Sequence, residues 1–211
     1  MMPKICNSKT VSVIWSLILG KVSFLISGVI ACIIILKFDN YILGNVAAGG
    51  IGGLILGLFH WKYKMVGKMT IAGIIAVPVG LLGSFMIAEG IVSGLAFIFP
   101  SFSEYFGRTG IADVIAIIFM GVFFGLIFGA IVYGRKSIVL FPIICGAVSI
   151  PCALLVRAMN LGNPVKALLG NLFQIFGKID FNLLVIIAGF GAGIGLSIGL
   201  LNVLEQKRSN I

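Results

Sequence analysis

Apolar residues run along this chain in six long blocks with few polar interruptions, over about 14–36, 41–60, 69–89, 111–133, 137–157 and 183–203. Each matches the roughly 20 apolar residues a helix needs to cross a hydrocarbon core. Strands of a membrane barrel would be shorter and would alternate polar with apolar positions. Lipid offers no partner to a bare backbone N–H or C=O, so helices are the expected form. The pattern predicts an all-α, polytopic integral membrane bundle of six transmembrane helices, forming one domain over residues 1–211.

The segments between and within the blocks refine this picture. Lys21 interrupts the first block. Either Lys21 snorkels to the interface, or residues 11–20 lie on the membrane before a shorter span. Val29-Ile30-Ala31-Cys32 resembles a lipoprotein processing site, but the apolar run continues through Ile33 to Leu36, so a retained span is expected. An apolar run from Ile91 to Phe99 is broken by Pro100. Asn163-Pro164 reads as a helix start, and Val165, Leu168, Leu169, Leu172, Phe176 and Ile179 follow at helical spacing. That describes an interfacial or re-entrant helix.

The chain also repeats itself. Gly49, Gly53 and Gly57 are spaced by four, as are Gly121, Gly125 and Gly129, and Gly191, Gly195 and Gly199. These runs fall on spans two, four and six, 72 and then 70 residues apart. At the second offset Phe106-Gly107-Arg108 aligns with Phe176-Gly177-Lys178, and at the first Trp61 aligns with Tyr133. Three tandem helical hairpins are expected, over about 11–67, 68–136 and 137–206. Hydrophobic drive between helices is weak in lipid, so Gly-x-x-x-Gly stripes mark faces where backbones pack closely. The three stripes either meet neighbouring helices or a partner subunit, or gather around a central pseudo-threefold axis.

Composition narrows the class. Hydrophobic residues make up 60% of the chain and charged residues 10%, against roughly 45–50% and 25% in soluble domains. A soluble enzyme, a disordered chain and a nucleic-acid module are excluded. The net charge of +9 is an orientation signal. Lys4, Lys9, Lys62, Lys64, Lys68, Arg135, Lys136, Lys207 and Arg208 fall on one side, and Lys37, Arg108, Arg157, Lys166 and Lys178 on the other. The positive-inside rule then makes both termini cytoplasmic, with Trp15, Trp61 and Tyr133 at the cytoplasmic interface. The plasma membrane of a prokaryote is the expected location. Cys6, Cys32, Cys145 and Cys152 form no C-x-x-C or metal-ligand spacing, and His60 is the single histidine. No metal or cofactor is expected.

Ionisable groups at membrane depth are costly and mark candidate function. Lys37, Glu89 and Arg157 lie at the outer ends of the odd spans, and with Asp39 and Asp113 they could form a polar ring at the outer mouth. Asn45 and Asn202 are expected to bond across helices. Pro78 and Pro151 are candidate kinks, with Gly80 and Gly83 making the first the better place for an irregular turn. Gly195-Leu196-Ser197-Ile198-Gly199 fits G-x-S-x-G only in letters, since it lies inside the sixth apolar block and not at a strand-to-helix elbow; no H-E-x-x-H or Walker motif is present, and no enzyme is expected. Two functional classes remain. One is a small transporter-like or substrate-binding membrane component, similar in size and span count to the substrate-binding subunits of multicomponent importers. The other is a non-transporting scaffold, assembly or immunity factor acting through glycine-mediated helix contacts. The bilayer is the expected environment, with a membrane partner subunit or homo-oligomer and an unidentified small-molecule or ionic ligand as the open partners.

Overall fold

A computed structural model describes residues 9–60, 63–99, 110–160 and 181–209. It contains α1 (Lys9–Phe38), α2 (Tyr41–Phe59), α3 (Tyr63–Ile98), α4 (Ile111–Tyr133), α5 (Leu140–Asn160) and α6 (Phe181–Ser209). A short 3₁₀ turn, Gly134–Ser137, joins α4 to α5. All six helices are long and apolar enough to cross a membrane. The helices follow chain order around the bundle, each against its sequence neighbours, and α6 closes against α1. The end holding Lys9 and Ser209 is the termini end. The end holding the α1–α2 turn is the far end.

Local chemistry sets several boundaries. Asp39 adopts a left-handed φ of 48°, and its N–H donates to Ile35 O at 2.8 Å. Asn40 then caps α2 by accepting from Leu43 N–H at 2.9 Å. A two-residue turn thus satisfies groups that both helix ends would leave bare. At the termini end, Ser137 Oγ lies 2.7 Å from Gly129 O and 2.8 Å from Gly134 O, where its proton serves two late carbonyls of α4 and its turn. Lys136 and Glu205 form an exposed ion pair at 3.4 Å nearby.

Helix lengths depart from the apolar blocks. α3 has 36 residues, about 54 Å at 1.5 Å per residue. It passes Glu89 and takes in the apolar run from Ile91 to Ile98, because nothing breaks the helix before Pro100. α3 and α5 also continue through Pro78 and Pro151. The irregular turn expected at 78–83 is therefore absent. Gly80 and Gly83 instead admit α4: an added Cβ would lie 3.4 Å from Met120 O and 3.3 Å from the Phe123 ring. α1 is one helix from residue 9, so residues 11–20 do not lie apart from the span. Lys21 is exposed on it.

The glycines on the even helices meet the next odd helix. A Cβ on Gly49 would collide with Gly73 O, and one on Gly53 with Met69 O; on Gly57 it would sit 2.7 Å from Val66 Cα. On α4, Gly121 faces Ser149 Oγ, Gly125 lies 2.6 Å from Phe141 O and Gly129 2.9 Å from the Phe141 ring. On α6, Gly191 faces Gly20 O, Gly195 faces Ser16 O, and Gly199 lies 2.8 Å from Val13 Cα. The expected alternative of a shared central axis for these glycines is thus not met, since their nearest neighbours lie on α3, α5 and α1. By contrast, Gly67, Gly90 and Gly94 have no such atom within 4 Å.

The interior is filled by phenylalanine. Phe124 sits 5.0 Å from Phe190 in a stacked pair and 5.6 Å from Phe24 edge-on. Offset and edge contacts of this kind add attraction beyond area burial. Rings from α1, α4 and α6 thereby converge at mid-bundle. Among the described residues seven serines are buried on or between the helices, and several of their hydroxyls bond to a carbonyl three or four residues earlier on the same helix. Their polarity is thus largely satisfied without crossing to a neighbour.

Candidate functional site

The five ring candidates are distributed rather than convergent. Lys37 is exposed, its ammonium 5.5 Å from the centre of the adjacent Phe38 ring. Asp39, Glu89 and Asp113 are exposed. Arg157 is half-buried, and its Nε is shielded without a hydrogen-bond partner. Among the described residues Glu89 and Arg157 form no ion pair, since α4 stands between their helices. Asp113 does have a local role available: an acid in the first turn of α4 complements the positive end of the helix dipole.

What the far end does contain is a cavity of about 210 Å³. Four helices contribute: Tyr41 and Asn45 from α2, Leu81, Ser84 and Phe85 from α3, Ala116, Ile117 and Met120 from α4, and Leu183 and Ile186 from α6. Chain geometry explains the convergence. Asn45 follows the α2 cap by one turn, and Ala116 to Met120 form the second turn and more of α4. Leu81, Ser84 and Phe85 recur at i, i+3 and i+4, which places them on one helix face.

The described lining residues carry no charge. Leu, Ile, Met, Phe and Ala side chains provide most of the surface, and the polar groups are Asn45, Ser84 and Tyr41. Ser84 donates to Leu81 O at 2.8 Å, so its proton is engaged while its lone pairs are available. Tyr41 is 65% exposed and stands at the rim. Asn45 Oδ1 is buried without a hydrogen-bond partner. That differs from the cross-helix bond expected of this amide. An unpaired buried carbonyl costs about 1–3 kcal/mol, so the absence of a protein partner is informative. Phe124 lies one helical turn beyond Met120, so the buried Phe24–Phe124–Phe190 cluster sits deeper in the bundle than the cavity lining.

Only part of this site could be found by reading residues. Asn45 was visible as a polar group inside an apolar span. Ser84, Phe85, Met120 and Ile186 carry no local signal, because their importance lies in the space they leave between four helices. The segment 163–179 and Trp61 lie outside the described residues, so the expected interfacial helix and that part of the aromatic belt have no structural counterpart here. Trp15 is exposed, and Tyr133 is half-buried with its ring 5.4 Å from Phe141. Among the described residues Cys32, Cys145 and Cys152 form no disulfide, and no group of three metal-ligating side chains occurs there. Comparisons with protein-family models, curated proteins and solved structures find no match. The chain is a helical protein with six candidate membrane spans.

Proposed function

We propose that this protein is a small substrate-binding membrane component that holds a neutral molecule at the far end of its bundle. One observation carries the reading: the four-helix cavity at the far end, whose described lining residues carry no charge. Ligand sites are commonly concave, mostly apolar and furnished with a few polar groups, and they often lie between helices of a bundle. A charged substrate would lose its hydration against these walls without an opposite charge to replace it. The buried phenylalanine cluster beyond Met120 argues for a dead-ended site in this conformation rather than an open channel.

The supporting architecture is three tandem hairpins, α1–α2, α3–α4 and α5–α6. Their Gly-x-x-x-Gly stripes form the three seams, α2 to α3, α4 to α5 and α6 to α1. In this reading each seam joins one hairpin to the next, and the last closes the ring. Both termini are cytoplasmic by charge distribution, so the cavity faces outward from a prokaryotic plasma membrane. A thermal-shift screen of the solubilised protein tests the reading. Neutral small molecules that fit the cavity should raise the melting temperature, because a ligand that binds only the folded state stabilises it. The same molecules should not stabilise Ala116→Phe, whose added ring fills the space. An equal response in both proteins would remove the proposal.

A second reading, a helix-docking assembly factor, draws on one observation. Gly90 and Gly94 face open space on exposed α3, and Phe97 beyond them is 88% exposed. If that face docks another helix, Gly90→Leu and Gly94→Leu would change the oligomeric state in lipid while leaving the cavity's ligand response intact.

A further inference from the structure

We propose that the groove between α1 and α5, with Lys21 on its wall, seats a transmembrane helix of another protein that carries a carboxylate at mid-bilayer depth. The proposal is independent of the cavity. It starts from α6, which packs on both α1 and α5, while those two make no comparable packing with each other. Gly191, Gly195 and Gly199 meet α1, whereas Gly189 and Gly193 meet Cys152 and Cys145 of α5. Ile194 and Ile198 are buried in the core. Helical periodicity leaves one stripe of α6 between its two neighbours: Ala188, Ala192 and Leu196, spaced by four and half-buried. α1 and α5 rise beside this stripe as walls. Its two alanines let another helix backbone approach, which is how helices gain contact in lipid.

Lys21 supplies the charge that identifies the occupant. It is the thirteenth of the 30 residues of α1. It follows Gly20, which lies against Gly191 and Gly195, and precedes by one turn Phe24 of the mid-bundle cluster. Its neighbours along the helix face, Ile18 and Leu25, are apolar and exposed. Lys21 itself is exposed, and it lies within electrostatic reach of Cys152 on the opposite wall, so it leans over α6. A charge at this depth is costly without a partner. The described acids do not supply one: Asp39, Glu89 and Asp113 stand toward the far end, and Glu205 pairs with Lys136 at the termini end. Snorkelling back to the level of Lys9 would cover 12 residues, about 18 Å at 1.5 Å per residue, more than the four methylenes of a lysine span. A second copy of this chain would bring another lysine to the same depth and no described acid. Charge complementarity therefore selects a different chain, with Asp or Glu facing Lys21 and small or apolar residues on the alanine floor.

A pair of designed transmembrane peptides tests this. The host is a leucine–alanine helix of about 20 residues with one central Glu, and the control carries Gln at the same position. Each is labelled for energy transfer to the full-length protein in lipid vesicles at neutral pH. The Glu peptide should associate about three- to thirtyfold more tightly than the Gln peptide, the range of polar contacts between membrane helices. Lys21→Gln should remove that preference, and Lys21→Glu should transfer it to a peptide with a central Lys. Ala192→Leu raises the groove floor without touching the charge and should weaken binding of the Glu peptide. Equal association of the Glu and Gln peptides with the unaltered protein would overturn the proposal and leave Lys21 a snorkelling side chain. A Glu preference undiminished in Ala192→Leu would overturn the groove as the seat. A change of oligomeric state in Lys21→Gln with no peptide added would overturn the partner's being a different chain. The peptide pair decides the charge question with the unaltered protein alone, even if a variant fails to fold.

Discussion

The seams and the far end of this bundle handle small and polar residues in opposite ways. Along the seams, glycine removes a side chain and the next helix fills the gap with backbone, as where Gly195 meets Ser16 O and Gly53 meets Met69 O. Buried serines there bond to their own helix, as Ser149 does to Cys145 O at 2.8 Å. Nothing is left open or unpaired at those contacts. At the far end, Leu, Met and Phe side chains surround space instead of filling it, and Asn45 Oδ1 is left bare. A membrane bundle gains its cohesion from contact. A region that gives up contact is therefore where a ligand that fills the space would contribute most.

The contrast can be broken most forcefully at the seams. Gly53→Val and Gly195→Val would force backbone apart. Each should cost more than the ~1–3 kcal/mol of ordinary overpacking, because carbonyls cannot rotate away as side chains do. Loss of folded protein on size-exclusion chromatography in detergent is the expected readout. Phe124→Ala comes next. It removes the centre of the phenylalanine cluster and should destabilise by about 3–5 kcal/mol if the truncated site collapses only partly. Thermal unfolding would measure it.

Smaller changes sharpen the comparison. Gly94→Ala meets no neighbour and should stabilise α3 by about 0.5–1 kcal/mol, the reverse of any seam glycine. Asp39→Gly would relieve a left-handed φ of 48° and should raise stability by up to about 1 kcal/mol. The smallest effect is expected of Lys136→Ala. Its ion pair with Glu205 is exposed on both sides, so the loss should stay below about 1 kcal/mol and vanish at high salt. Chemical denaturation of the variants side by side would rank all three.

The sequence made the six helices legible because lipid imposes a long, uninterrupted apolar block on each. Helix ends were less legible. Glu89 looked like a boundary, yet α3 continues to Ile98, because one charge does not break a helix and Pro100 does. The glycines announced close approach but not the neighbour: Gly191 could not declare that it would meet Gly20, 171 positions earlier in the chain. The polar ring was read from charges that share a depth, but Glu89 and Arg157 are separated by α4 and face different surroundings. Asn45 was the legible fraction of the site. The rest of the cavity consists of ordinary apolar residues, and empty space between helices has no residue code.

The central claim is a bundle sealed at its phenylalanine cluster and accessible only from the far end. Single cysteines in a background lacking the natural four test it most directly. Leu81→Cys lines the cavity at a half-buried position, whereas Ile194→Cys lies in the fully buried core one turn past Phe190. Each variant is reconstituted in one orientation and treated with a membrane-impermeant methanethiosulfonate from either side. Leu81→Cys should react from the far side alone and Ile194→Cys from neither. Labelling of Ile194→Cys from the far side, or of Leu81→Cys from the termini side, would contradict it.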